Sequence, residues 1–177
     1  SPKADMAQIK PGEVVLVWGA GGGLGVFAVQ LAKHFGAHPI GVVSSDEKAE
    51  LAKRLGAIGT IDRREFSNLY ARADETPEAA ARRADAAIKA FGKAFWQIAE
   101  AAGLGSRRSP NVVFENPAMA TFPASVRLAA RGADVVLEVV AVRAGGRIGP
   151  GHVREAADVG HGQVICAVFF VQQIPAE

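Results

Sequence analysis

Apolar and polar positions along the chain follow two periods in turn, one suited to buried strands and one to helices. Val14 to Trp18 is an unbroken apolar run of strand length, entered through the turn signal Lys10-Pro11-Gly12. Past a glycine-rich stretch, Leu24, Ala28, Leu31 and Phe35 recur at helical spacing, and Gly36 stands where a helix C-terminal cap belongs. Residues 38–43 form a second buried-strand candidate. Residues 44–57 predict a second helix, with Ser44 and Glu47 at capping-box spacing and Gly56 closing it. Residues 57–62 predict a third strand. The first 62 residues therefore alternate β-α-β-α-β, and strands that are apolar throughout imply a parallel sheet covered on both faces.

Residues 63–110 interrupt that alternation. Thr76-Pro77-Glu78 supplies a cap, a proline at the first helical position and an early acid. Ala84, Ile88, Phe91, Phe95, Ile98 and Ala102 then trace one apolar stripe ended by Gly103, which predicts a long inserted helix. Residues 111–115 resume as a fourth strand, and 133–142 and 163–171 are two further candidates.

Composition narrows the class. The chain has 177 residues, enough for one domain with a core, and 49% of them are apolar. Twenty Lys and Arg against 18 Asp and Glu leave a net charge of +2, with the signs interspersed, so no nucleic-acid partner is expected. The single cysteine, Cys166, has no partner for a disulfide and points to a reducing, cytoplasmic setting. No apolar run approaches the ~20 residues of a membrane span, and the start, SPKADMAQ, has no signal-peptide pattern. With no initiator methionine, the chain reads as a piece of something longer. His34, His38, His152 and His161 are scattered without metal-ligand spacing, so no metal site is expected.

The stretch VWGAGGGLGVF carries the chemistry. Helix-capable sequence loses about 1 kcal/mol per glycine against alanine, so five glycines in eleven residues ask for a reason. A strand, a glycine-rich turn and a helix together hold a dinucleotide pyrophosphate against the helix N-terminus. From Ala20 the pattern is A-x-G-x-x-G, with Gly22 and Gly25 in the second and third glycine places and Gly19, Gly21 and Gly23 additional. Together with Leu24, these are the candidate pyrophosphate residues. The expected fold is α/β, a Rossmann-like doubly wound parallel sheet with helices on both faces and one inserted helix.

The end of the second strand selects the dinucleotide. An acid there would hold the ribose diol of NAD. Here it ends VVSS, so Ser44 and Ser45 offer hydroxyls, Lys48 follows in the next helix and Arg63 follows the third strand. Hydroxyls with cations suit an adenosine 2′-phosphate, which favours NADPH over NADH. Asp46 is the one acid nearby and belongs to the helix.

The segments IKPGEVVLVWGAGGGLGVFAVQLAK, VVSSDEKAELAKRLGA, IDRREF, FGKAFWQIA and VVFENPAMATFPASV resemble the cofactor domain of crotonyl-CoA carboxylase/reductases, members of the medium-chain dehydrogenase/reductase superfamily. The resemblance covers about residues 8 to 126. It implies a zinc-independent oxidoreductase in which NADPH provides a hydride for the β-carbon of an α,β-unsaturated acyl-CoA. The resulting enolate is trapped by CO2, or by a proton where CO2 is absent. It further implies that Ala20 to Gly25 hold the pyrophosphate and that Ser44, Lys48 and Arg63 surround the 2′-phosphate. Carboxylating members have FEHPG, whose histidine positions CO2; this chain has FENPA, with Asn116 in that place. An amide cannot titrate or carry charge, which favours plain reduction. The acyl-CoA would meet the cofactor in a catalytic domain absent from this chain, and the full-length parent is expected to be a homo-oligomer. Two other readings remain: a quinone oxidoreductase-like NADPH-dependent reductase, and a catalytically silent nucleotide-binding fragment. Residues 1–126 form the expected cofactor domain, with the helical insertion at 63–110. Residues 127–177 depart from the family pattern, with an Ala/Arg/Gly/Val bias that would suit a shifted reading frame of GC-rich DNA, yet hold apolar runs able to complete the sheet.

Overall fold

The computed structural model describes residues 9–69, 74–115, 121, 124, 125, 128, 134–138, 156–159 and 162–167. Its centre is a seven-stranded sheet in the order β3-β2-β1-β4-β5-β7-β6. The strands are β1 (Val14–Trp18), β2 (His38–Val43), β3 (Gly59–Asp62), β4 (Val112–Glu115), β5 (Asp134–Glu138), β6 (Ala156–Val159) and β7 (Gly162–Ala167). All neighbours pair in parallel except β6 and β7. Their helices are α1 (Gly23–His34), α2 (Asp46–Leu55) and α3 (Pro77–Ala101), with a 3-10 segment over Arg63–Leu69.

The alternating side chains of β1 divide the core in two. Val15 and Val17 join Ala28, Val29 and Ala32 of α1 and Ala52 of α2 on one face. Val14, Leu16 and Trp18 meet Ile88, Phe91 and Phe95 of α3 on the other. All five residues of β1 are buried, because helices cover both faces of the strand.

The long helix anticipated as an insertion is also the crossover that carries the chain from β3, at one edge, to β4 beside β1. Thr76 caps it by accepting a hydrogen bond from the Ala79 N–H at 3.3 Å. Its buried stripe runs through Ala87, Ile88, Phe91, Phe95 and Ala99.

The helical spacing of Leu24, Ala28, Leu31 and Phe35 does not coincide with the buried face of the first helix. The residues of α1 that face the sheet are Gly25, Ala28, Val29 and Ala32, whereas Leu31 and Phe35 are exposed. Small side chains let α1 lie close on the sheet, and the larger ones turn to solvent. The cap of α2 is likewise Ser45 rather than Ser44: the Lys48 N–H donates to Ser45 Oγ at 3.2 Å.

Candidate functional site

The site is built where β1 hands over to α1. Ala20 N–H donates to the Val42 carbonyl at 3.0 Å, tying the loop to β2, and Gly22 N–H donates to the Gly19 carbonyl at 2.9 Å. Helix α1 then begins with Gly22 as its N-cap, with no side-chain cap and no acid in its first turn. Among the described residues, the N–H groups of Gly23, Leu24 and Gly25 have no backbone acceptor. They are the unpaired donors that every helix start leaves, at its partially positive end. An anion is the chemical complement of that arrangement.

Two glycines are demanded by close approach. A Cβ on Gly25 would fall 2.0 Å from the Gly19 carbonyl oxygen, so only glycine lets the helix fold back on its own loop. A Cβ on Gly21 would fall 2.4 Å from the Lys48 Cβ. The Lys48 stem therefore lies across the loop, and its Nζ reaches Ser44 Oγ at 3.3 Å. Lys48 and Ser44 thus come together with the glycine loop.

The other anticipated residues spread around this centre. Ser45 is engaged in capping α2. Exposed Arg63 opens the 3-10 segment directly after Asp62, whose strand partner is Val43, the residue before Ser44. Its neighbour Arg64 is held by Asp62, with Nε donating to Oδ1 at 2.9 Å, and by Asp46 at 3.3 Å. The side-chain hydrogen bond from Arg64 keeps the Asp62 carboxyl below its usual range. Asp46 is the first residue of α2 and accepts from Arg64 at 3.3 Å, and the two residues between β2 and α2, Ser44 and Ser45, carry hydroxyls. Asn116 lies outside the described residues.

One cluster was not singled out from the sequence. Glu115 ends β4 fully buried and accepts hydrogen bonds from the hydroxyls of Thr121 and Ser125. Ser125 Oγ in turn accepts from Trp18 Nε1–H at 2.8 Å. Burial pushes the Glu115 carboxyl up to about 6, against the downward pull of the two hydroxyls. The only sequence signal was an acid closing the apolar run VVFE, which by itself does not distinguish a buried carboxylate from a solvated one.

Beside the outer edge, a groove of about 590 Å³ runs between α2, β3 and α3, lined by residues including Ser45, Glu50, Lys53, Asp62 and Gln97. Among the described residues no cluster of His, Cys, Asp or Glu is placed to hold a metal ion, and no helix is long and apolar enough to cross a membrane.

Comparison with known proteins adds an independent line. Residues 23–146 match the family model described as zinc-binding dehydrogenase. The match runs past residue 126, where the resemblance was expected to end. Crotonyl-CoA carboxylase/reductase from Cereibacter sphaeroides is 38% identical over 133 residues, which is 73% of this chain and 29% of that protein. A quinone oxidoreductase from Pseudomonas aeruginosa is 51% identical over 55 residues, 31% of this chain and 17% of that protein. Among solved structures, crotonyl-CoA carboxylase/reductase AntE in complex with NADP superposes with a TM-score of 0.66 at 34% identity, covering 92% of this chain and 39% of that one. The chain therefore spans well under half the length of these relatives.

Proposed function

This chain belongs to the zinc-binding dehydrogenase family, and from that premise we propose that it is the NADPH-binding domain of an enoyl-CoA reductase of the crotonyl-CoA type. The observation that carries the reading is the start of α1, where three N–H groups have no backbone acceptor among the described residues, beside a loop whose glycines leave no Cβ in the way. Gly19 to Gly25 would hold the pyrophosphate of the cofactor. Lys48, Ser44 and Arg63 would hold its adenosine 2′-phosphate, with Ser45 at the edge of that subsite. Ser44 and Ser45, which follow β2 directly, carry hydroxyls, and the first acid after them, Asp46, lies in α2 against Arg64, which supports NADPH over NADH.

NADPH bound in this cleft would supply a hydride for the β-carbon of an α,β-unsaturated acyl-CoA. The chain's own part is to orient the dinucleotide along the carboxyl ends of β1, β2 and β4 and to neutralise its phosphates. The relatives have most of their length outside the stretch covered here, and the acyl-CoA pocket is assigned to a catalytic domain of that kind. Asn116, in place of the family's histidine, favours capture of the enolate by a proton over capture by CO2, and the reading needs no zinc. In the full-length parent we expect a homo-oligomer working in the cytoplasm.

Isothermal titration with NADPH and NADH tests the reading. Micromolar binding of NADPH with much weaker binding of NADH is expected. Absence of binding to either leaves a silent fragment instead. The quinone oxidoreductase reading draws on a shorter stretch of similarity, and assaying the full-length parent with crotonyl-CoA and with quinones separates the two.

A further inference from the structure

Glu115 stands where the sheet changes direction. Chain leaving β1 turns toward β2, and chain leaving β4 turns toward β5, so the ends of β1 and β4 flank the crevice in which α/β sheets bind ligands. Val17 pairs with Phe114, and one step further sets Trp18 beside Glu115. Trp18 is the last residue before the glycine loop, and its indole stacks on Phe91 of α3 with ring centroids 5.0 Å apart. A fully buried carboxylate is expensive unless hydrogen-bonded, and an apolar side chain would serve stability at lower cost. What the carboxylate offers is two acceptor oxygens that orient two hydroxyls. While it is ionised, Ser125 must donate to it, which turns the Ser125 lone pairs toward the Trp18 N–H.

We propose that Glu115 is a positioning residue for the cofactor cleft, holding Trp18 through the Ser125 hydroxyl and thereby the strand end from which the glycine loop departs. The inference rests on the NADPH reading above. A proton arriving on the Ser125 side of the carboxyl makes that hydroxyl an acceptor from both neighbours, and the hold on the indole changes. Among the described residues, the groups linked to Glu115 are neutral: Trp18 from β1, Thr121 and Ser125 from the segment after β4, and Phe91 of α3 behind the indole. On β5 its paired residue is Leu137, with Glu138 one position further. The carboxyl's upward shift to about 6 sets the range in which the change falls.

Trp18 fluorescence reports the network without any cofactor, once Trp96→Phe removes the second indole. A step near pH 6 is expected in that background, and it should vanish on adding Glu115→Gln or Ser125→Ala. A step that survives both changes, or none in the parent background, overturns the proposal. NADPH affinity supplies the second readout. Between about pH 5.5 and about pH 8, the parent should tighten by about fivefold more than the Glu115→Gln variant, the low end of measured couplings between sites. The variant also cancels the cofactor phosphate's own titration near about pH 6. Equal pH dependence in both proteins overturns the positioning role. Failure of NADPH to bind at any pH sinks the cofactor reading, and the positioning role with it, while the Trp18 step still reports the network.

Discussion

At the scale of single residues, two charged side chains carry opposite lessons. Glu115 is buried, and its carboxyl rises from 4.5 to about 6. The stability such a raised group contributes is fully present below the unfolded value and is lost as pH rises through the folded one. Relative to Glu115→Gln, the unmodified chain should therefore lose about 2 kcal/mol of stability between those two pH values. Urea unfolding across that range measures it, and a pH-independent difference would show that the carboxyl titrates as an ordinary solvated acid. Lys48 works instead on the surface of the loop, its stem over Gly21 and its ammonium at Ser44. Lys48→Ala should weaken NADPH by about tenfold, as loss of a charge-assisted contact does, and leave NADH nearly unaffected, as paired titrations will read. The residue types at this subsite were visible in VVSSDEK. The buried role of Glu115 was not, because an acid after VVF is equally at home in water.

At the scale of elements, the strongest signals were local. Thr76-Pro77-Glu78 marked the start of α3, and the structure puts its cap there, with the Ala79 N–H bonded to the Thr76 hydroxyl. The stripe through Ile88, Phe91 and Phe95 is the one that packs on β1. Phe95→Ala should cost about 3–5 kcal/mol in urea unfolding, since Phe95 is fully buried in that cluster. Helix α1 is the counterexample. Its Leu24-Ala28-Leu31-Phe35 spacing is helical, yet the face that packs is Gly25-Ala28-Val29-Ala32, and Phe27 is 70% exposed. Periodicity identified the helix but not the face it buries. The close seat of α1 on the sheet, where Gly25 nearly touches the Gly19 carbonyl, excludes the larger side chains.

At the scale of the molecule, the sheet order places the ends of β2, β1 and β4 side by side and sets the glycine loop over them. A ligand that binds only this assembled edge stabilises the fold by mass action. NADPH at about a hundred times its dissociation constant should add about 2.7 kcal/mol, seen as a rise in Tm that NADH at the same concentration does not match. An equal rise with both cofactors would remove the basis for preferring the 2′-phosphate. The strands β5, β6 and β7 extend the sheet beyond β4, and the family match to residue 146 takes in β5.

What the sequence determined alone was the succession of strands and helices through β4, and the glycine turn between the first strand and the first helix. Periodicity, caps and turn residues act over a few neighbouring positions, so they are written in the chain itself. Tertiary structure alone decided which face of α1 is buried, that Lys48 lies over Gly21, and that Trp18 and Glu115 meet through Ser125. Those contacts join residues up to 107 positions apart, and strand register and crossover direction bring them together where no local pattern can record it.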